Sequence, residues 1–483
     1  MAATNVAVAG TNSIGRRRVP LSMRMNVALV VLDTLRYDAF EEHFDWLSGV
    51  RFTNAWAPSH WTVPVHASLF AGKYPSELGV HVDNQALDCP EPVIAERLAD
   101  AGYTTRAFAS NIILAKPFEF DRGFAEYTGT WTFRALSGDV FDWEGFAEDD
   151  DPETYLGALQ ECIAGEYDTW PSLRRGARVA LCDFAGRFGD TRFDGDPLDE
   201  QGSQRALDYV RRTDFGDREF LFVNLMDAHM PHTPPEAYRT VDTDEPIGDV
   251  TEYNGLVATA GAGPAADVEV LTQAYDDSVR YLADVYREIH AGLREAFDVV
   301  ITLSDHGELF GEHGVWQHSY GVYPELTHVP CVISGDRIEE TMCAETVSLL
   351  DVHRTMLDLA GVDGDSGGNA LLDVPDDPSE SVTAAPTDRT CAAEYLGPNP
   401  RNRKKVERLG HDPTRFDEEL FGVAADGAYG YETTDGLRVL GETDAALDDL
   451  LEAHRDRIDR RDTRDRAAVS DATRRHLEDL GYA

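Results

Sequence analysis

The chain has 483 residues, 88 of them Asp or Glu against 43 Lys or Arg, for a formal charge of −45 at pH 7. With 42% apolar and 10% aromatic residues, a chain of this length buries enough surface to fold despite its charge, which excludes a wholly disordered protein. A field of that sign repels phosphate polymers and anionic lipid surfaces, so a bulk nucleic-acid- or membrane-binding face is excluded too.

Only Lys73, Lys116, Lys404 and Lys405 are lysines; the other cations are arginines, and the acids are spread along the whole chain. This balance resembles proteins of salt-accumulating halophiles, whose surfaces work where the Debye length is ~3 Å. Cys89, Cys162, Cys182, Cys331, Cys343 and Cys391 show no CxxC or CxxH spacing. Reduced, mostly buried thiols are therefore expected in place of zinc knuckles or a disulfide framework. No apolar run approaches the ~20 residues that a membrane span needs. Residues 1–24 read as a disordered extension: Arg16, Arg17 and Arg18 precede the apolar run 25–32, but that run is short and meets an acid at once. The expected location is cytoplasmic.

In chain order, the apolar run 26–32 reads as a fully buried strand of a parallel sheet, and 92–102 as a helix. Residues 130–215 read as an acidic insertion carrying Glu148, Asp149, Asp150 and Asp151 with Trp143, Tyr155, Tyr167 and Trp170. It is either a helical lid or a solvated face with ordinary core aromatics. A helix is expected at 203–212, strands at 219–226, 298–304 and 329–334, and a helix at 271–293, where Leu271, Tyr275, Val279, Leu282 and Val285 recur at three- and four-residue steps. Strand alternating with helix implies βαβ units and a doubly wound, mostly parallel α/β sheet over residues 25–363. An amphipathic helix at 348–361 precedes a Gly-, Asp- and Pro-rich linker at 364–381. A smaller C-terminal α+β part, 382–483, follows, with a hairpin near 429–440 and a charged helix over 444–464.

Three of the four strand candidates run into an ionisable group. Residues 26–32 lead into Asp33, 219–226 into Asp227 and then His229, and 298–303 through Ser304 into Asp305 and His306. Singly, each fits an ordinary strand end. Together they converge on the carboxyl edge of one sheet, where such folds bind ligands. Clustered carboxylates repel unless a cation sits among them, and Asp/His sets suit zinc or manganese. A second element runs from Trp61 to Gly72. Thr62 is a good N-cap, Pro64 fits a first turn and Gly72 a stop. Thr62 is therefore expected at a helix N-terminus, where free N–H groups favour anions. Beside a metal its hydroxyl becomes a nucleophile that can attack phosphorus or sulfur.

These segments make the chain resemble the sulfatases, within the alkaline-phosphatase superfamily, over residues 26–362. The resemblance rests on Val30-Val31-Leu32-Asp33-Thr34-Leu35-Arg36, on Thr62-x-Pro64-x-His66-Ala67-Ser68-Leu69 with Gly72, Tyr74 and Pro75, on Asp227-Ala228-His229-Met230-Pro231, on Ser304-Asp305-His306-Gly307, and on Trp316-Gln317-His318 with Val329-Pro330. It implies an α/β core with a smaller C-terminal antiparallel subdomain and a divalent metal at the carboxyl strand ends. Asp33, Asp305 and His306 match the family's metal ligands, and Thr62 its nucleophile. Asp227 is a further candidate ligand or orients His229. His66 falls where the signature has arginine, His229 matches a histidine touching the transferred group, and His318 falls where many members have lysine. Asn84 matches a substrate-contacting asparagine more weakly. His232, His313 and His328 have no counterpart and read as structural.

Sulfatases normally carry Cys or Ser, converted to formylglycine, at the position of Thr62, and a second acid at that of Thr34. Both departures resemble the phosphodiesterase, phosphonate hydrolase and phosphotransferase branches. The resemblance thus implies a metal-dependent hydrolase of phosphate mono- or diesters or sulfate esters, acting through a Thr62 adduct on a small-molecule, glycan or lipid-headgroup ester. Manganese or zinc is expected ahead of calcium. A phosphotransferase passing the group to an alcohol, and a non-catalytic metal-binding module, are the alternatives.

Overall fold

The computed structural model describes residues 25–129, 202–243, 246–261, 263–375, 377, 379–385 and 389–462. The extension expected at 1–24, the insertion up to residue 201 with its four aromatics, and the end of the 444–464 helix lie outside the described residues.

The first strands are β1 (Val27–Leu32), β2 (Val50–Phe52) and β3 (Ala55–Trp56). Next come β4 (Thr104–Ala109), β5 (Glu126–Gly129), β6 (Glu219–Leu225), β7 (Val299–Leu303), β8 (Cys331–Gly335) and β9 (Thr341–Cys343). All except β3 form one eight-stranded sheet in the order β5-β4-β6-β1-β7-β8-β2-β9. Along β1, Val27, Leu29 and Val31 enter one core with the helices Thr62–Ala71, Ile94–Asp100 and Leu349–Leu359. Ala28, Val30 and Leu32 enter a second core with the helices Tyr37–His43, Ser203–Arg212 and Val268–Ala296. Burial on both faces explains why the strand reads as a continuous apolar run.

One expectation is corrected. The run 329–334 was expected as a parallel strand, but β8 pairs antiparallel to both β7 and β2. It too is buried on both faces, with Cys331 and Ile333 in one core and Val332 in the other, so its apolar run carries no direction. The connection from β7 stays at one end of the sheet and needs no crossover, as antiparallel neighbours permit.

Register brings the site together. Leu32 lies opposite Leu225 of β6, and Val31 opposite Leu303 of β7. The residues following these three central strands therefore emerge at one level.

The helix Thr62–Ala71 stops at Gly72, whose φ is 68°; a Cβ there would lie 2.4 Å from His353 Nδ1, so glycine alone fits. Strand β10 (Val347–Ser348) pairs with β3, and β11 (Leu372–Asp373) pairs antiparallel with β12 (Thr383–Ala384), so the expected linker contains a short strand. The C-terminal part is a four-stranded antiparallel sheet of β13 (Cys391–Tyr395), β14 (Leu420–Ala425), β15 (Ala428–Thr433) and β16 (Gly436–Leu440). Leu447 and Leu451 of the helix Leu447–Arg457 pack with Phe421 and Val423 of this sheet. Cys89, Cys331, Cys343 and Cys391 are free and buried. No helix among the described residues is long and apolar enough to cross a membrane.

Candidate active site

Asp33 continues the β1 ladder through its N–H to Leu225 O, at 2.8 Å. Its carboxylate is fully buried and held on both oxygens. Asn111 and Asn224 donate to Oδ2 at 3.0 and 3.1 Å, and the Thr34 hydroxyl donates to Oδ1 at 2.9 Å. Thr34 has a φ of 65°, a conformation that β-branched residues rarely adopt and that a packed site must enforce. The strained turn aims its N–H at Asp305 Oδ1, 3.2 Å away, so one residue bonds both acids. Asp305 Oδ1 also accepts from the His306 N–H at 2.9 Å. Asp305 Oδ2 accepts nothing, and lies 3.6 Å from both His306 Nε2 and His66 Nδ1.

The two acids are pushed apart in character. Burial, and then the negative charge of Asp33, raise the Asp305 carboxyl well above its usual range. Burial works the same way on Asp33, but the nearby His229 and His306 and the Asn111 amide outweigh it and hold that carboxyl at about 2. Asp33, Asp305 and His306 each offer a ligand atom, all within 4.8 Å of one another. Two carboxylates and an imidazole, fully buried, with one carboxylate oxygen lacking a hydrogen-bond donor, fit a divalent cation by charge and by donor type.

Thr62 meets this cluster from the start of the helix Thr62–Ala71. It is not the N-cap expected from sequence: Trp61, with extended dihedrals, takes that place, and Thr62 is the first helical residue. Its side chain is thereby released from capping, and Oγ1 lies 3.3 Å from His306 Nε2. His66, one turn on, has its Nδ1 2.9 Å from Thr62 O, while its ring meets the edge of Phe222 at 5.7 Å. The Nδ1 atoms of His306 and His229 face Gly307 O at 2.9 Å and Met230 O at 2.6 Å. A carbonyl only accepts, so all three imidazoles carry a proton on Nδ1 and, when neutral, a lone pair on Nε2. Burial lowers His66 to about 4; burial also lowers His229, and burial followed by the His318 charge sets His306 well below the ordinary range. His318 is the exception: burial would lower it, but the Glu308 carboxylate outweighs that and raises it. Its ring lies 4.5 Å from that of His306 and 5.3 Å from that of His229.

The remaining sequence candidates make other contacts. Asp227 Oδ2 accepts from the Ser203 hydroxyl and is not among the three clustered ligands. Asn84 Nδ2 donates to Gly79 O at 2.8 Å within its own turn. His232 packs edge-on against Tyr275, His313 faces Glu325, and His328 faces Thr53 O. Conversely, Asn111, Asn224 and Glu308 belong to the site without having been singled out in the sequence. Asn224 left a readable signal, an amide near the end of the run Phe220–Leu225 that is otherwise apolar, which must find partners when buried.

A family model described as Sulfatase matches residues 26–362. The chain is 26% identical over 337 residues to an uncharacterized sulfatase, YidJ, of Escherichia coli, covering 65% of this chain and 61% of that protein. It is 26% identical over 328 residues to a choline-sulfatase of Rhizobium meliloti, covering 65% and 60%. The chain thus spans about three fifths of the length of these curated relatives. Among solved structures, a phosphonate monoester hydrolase from Silicibacter pomeroyi superposes with a TM-score of 0.58 at 18% identity, over 91% of this chain and 96% of that one; at that identity the likeness shows the fold. The strand-end acids, the Thr62 helix and the family match cover the same stretch of sequence, and the chain belongs to the sulfatase family.

Proposed function

We propose that the chain is a metal-dependent hydrolase of phosphorus esters that works through a covalent adduct on Thr62. The carrying observation is the Thr62 hydroxyl 3.3 Å from His306 Nε2, at the edge of the buried Asp33–Asp305–His306 cluster. A divalent cation held by those three side chains, manganese or zinc on this donor set, supplies Lewis acidity to the hydroxyl and charge neutralisation to the ester. Thr62 Oγ1 attacks phosphorus in line as its proton passes to water, and the bond to the ester oxygen breaks, the alcohol leaving with a proton taken from the His318 imidazolium. His318 faces the non-bridging oxygens, where Nε2–H of its protonated ring meets charge that grows in the transition state, while His229, its Nδ1–H held by Met230 O, presents a bare Nε2. In the second half, His229 or the now neutral His318 takes a proton from water, the water oxygen attacks phosphorus, and the bond to Thr62 breaks as Oγ1 regains a proton from water. His66 fixes the Thr62 carbonyl and with it the first turn of the helix.

The preference for phosphorus over sulfur rests on the plain hydroxyl at Thr62 and on Thr34 in place of a second acid, so calcium is disfavoured. The acidic, arginine-biased composition supports operation in concentrated salt. The test is a screen of phosphate mono- and diesters, phosphonates and sulfate esters in molar KCl with manganese or zinc, alongside Thr62→Ala. Turnover of phosphorus esters, falling at least about 1000-fold in the variant, is the expected result. A sulfate preference would overturn the choice of element, and unchanged kcat in Thr62→Ala the covalent step. Transfer to an added alcohol at the expense of hydrolysis would make the enzyme a phosphotransferase with the same first half.

A further inference from the structure

We infer that Glu308 is a positioning residue that holds the His318 imidazole with Nδ1 turned away from, and Nε2 turned toward, the group attacked by Thr62. The inference rests on the reading of Thr62 as the reacting centre. Glu308 is 1% exposed and follows Asp305 by three residues. Both of its carboxylate oxygens face His318 Nδ1, at 3.2 and 3.4 Å. Among the described residues, no other side chain donates to that carboxylate. A carboxylate accepts and an imidazole has two nitrogens of different reach, so this contact selects which nitrogen carries the proton and which is presented.

The pair is anchored from both ends. Glu308 O accepts from Arg36 Nη1 at 2.9 Å, and Arg36 is itself bound to Asp38 and Glu312. His318 O lies 2.8 Å from Nδ1 of the buried His60, which is two residues before Thr62. One chain of contacts therefore ties the segment carrying the nucleophile to the segment carrying His318. A carboxyl group is costly to bury with a single imidazole as its side-chain partner. An apolar side chain would fill the space at less expense, so the carboxylate is explained by what it does to the ring. Once its Nδ1–H is committed to Glu308, the ring has only Nε2 left for the ester, and it lies 4.5 Å from the ring of His306, whose Nε2 is 3.3 Å from Thr62 Oγ1, and 5.3 Å from that of His229.

The test uses the full chain with ¹⁵N-labelled histidine, reading the His318 tautomer by long-range ¹H–¹⁵N correlation at a pH where the ring is neutral. In parallel, kcat and KM are measured on the best ester found. Glu308→Gln keeps an acceptor, and should retain the Nδ1–H form and a kcat within several-fold of wild type. Glu308→Ala should lose the single tautomer and roughly 10- to 100-fold in kcat, with KM and melting midpoint little changed, the usual size of effect for a group that orients an active imidazole. Glu308→Asp keeps the charge but withdraws the acceptor by one carbon, and should resemble alanine; it carries the test should alanine fail to fold. A single Nδ1–H tautomer in both the Ala and Asp variants, or a Gln variant that falls as far as alanine, would overturn the inference. The tautomer readout needs no substrate, so a wild-type protein inactive on every ester would overturn the hydrolase reading and leave the hold of Glu308 on the ring to be decided by the spectra.

Discussion

Asp305 Oδ2 lies 3.6 Å from His306 Nε2 and accepts no hydrogen bond, although both side chains are fully buried. Burial, and then the negative charge of Asp33, raise the Asp305 carboxyl. The protein thus keeps an acid where its charge is unwelcome in the absence of a cation.

The first prediction follows. Asp305→Asn replaces the unwelcome charge with an amide that can donate to a bare imidazole nitrogen. Metal-free protein should be stabilised, by on the order of 1–4 kcal/mol, while the rise in melting midpoint that manganese or zinc gives to wild type should vanish. Thermal melts with and without chelator measure both. A destabilised metal-free variant would show that Asp305 is satisfied by the protein alone.

The second concerns Asn111 and Asn224, which converge on one oxygen of Asp33. They leave the other oxygen to Thr34 and to the centre of the cluster, so in the proposed metal site each amide would orient a ligand without being one. Asn111→Ala or Asn224→Ala should weaken metal affinity about 10- to 100-fold by titration calorimetry. Asn224→Ala should also loosen Asn111, whose N–H donates to Asn224 Oδ1 at 3.0 Å. An affinity equal to wild type in both variants would remove the amides from the site.

How far the sequence displays this arrangement depends on where each residue sits. Asp33, Asp305 and His306 were legible because two buried strands, β1 and β7, end at them, and parallel register levels those ends. Thr62 was legible as a helix start but not as a released hydroxyl, because a threonine in front of a helix looks the same whether it caps or sits at the first helical position. Asn111 and Glu308 lie in loops whose path alone brings them inward, and such positions carry no periodicity. The φ of Thr34 and the direction of β8 are set by tertiary packing, which no local pattern records.

A third prediction concerns acid. Burial lowers His60, His232 and His353 to about 3, whereas in the unfolded chain a histidine titrates near 6.5. Unfolding therefore takes up protons below that value, and stability that is complete above pH 6.5 is lost as pH falls from 6.5 toward 3. Each histidine contributes up to about 1.4 kcal/mol per pH unit, so the three together should remove about 4 kcal/mol between pH 7.5 and 5.5. Denaturant titrations at the two pH values measure it, and equal stability would show that these rings are hydrated in the native state.

The last prediction returns to the charge of −45. Cations are too few to pair the acids, so the folded chain carries an uncompensated like charge that repels itself more strongly when compact than when unfolded. Added salt shortens the Debye length from about 10 Å at 0.1 M to about 3 Å at 1 M, and so relieves repulsion between neighbouring surface acids. The pairs already present, such as Arg403 with Asp417 and Arg460 with Glu419, are exposed, and each is worth ~1 kcal/mol or less, so their screening takes away little. The melting midpoint should therefore rise steadily from about 0.1 M to beyond 1 M KCl. NaCl should act almost as well if screening is the cause. A midpoint that is flat or falling over this range would mean that ion pairs and not repulsion dominate the surface, and would separate the acidic composition from any need for salt.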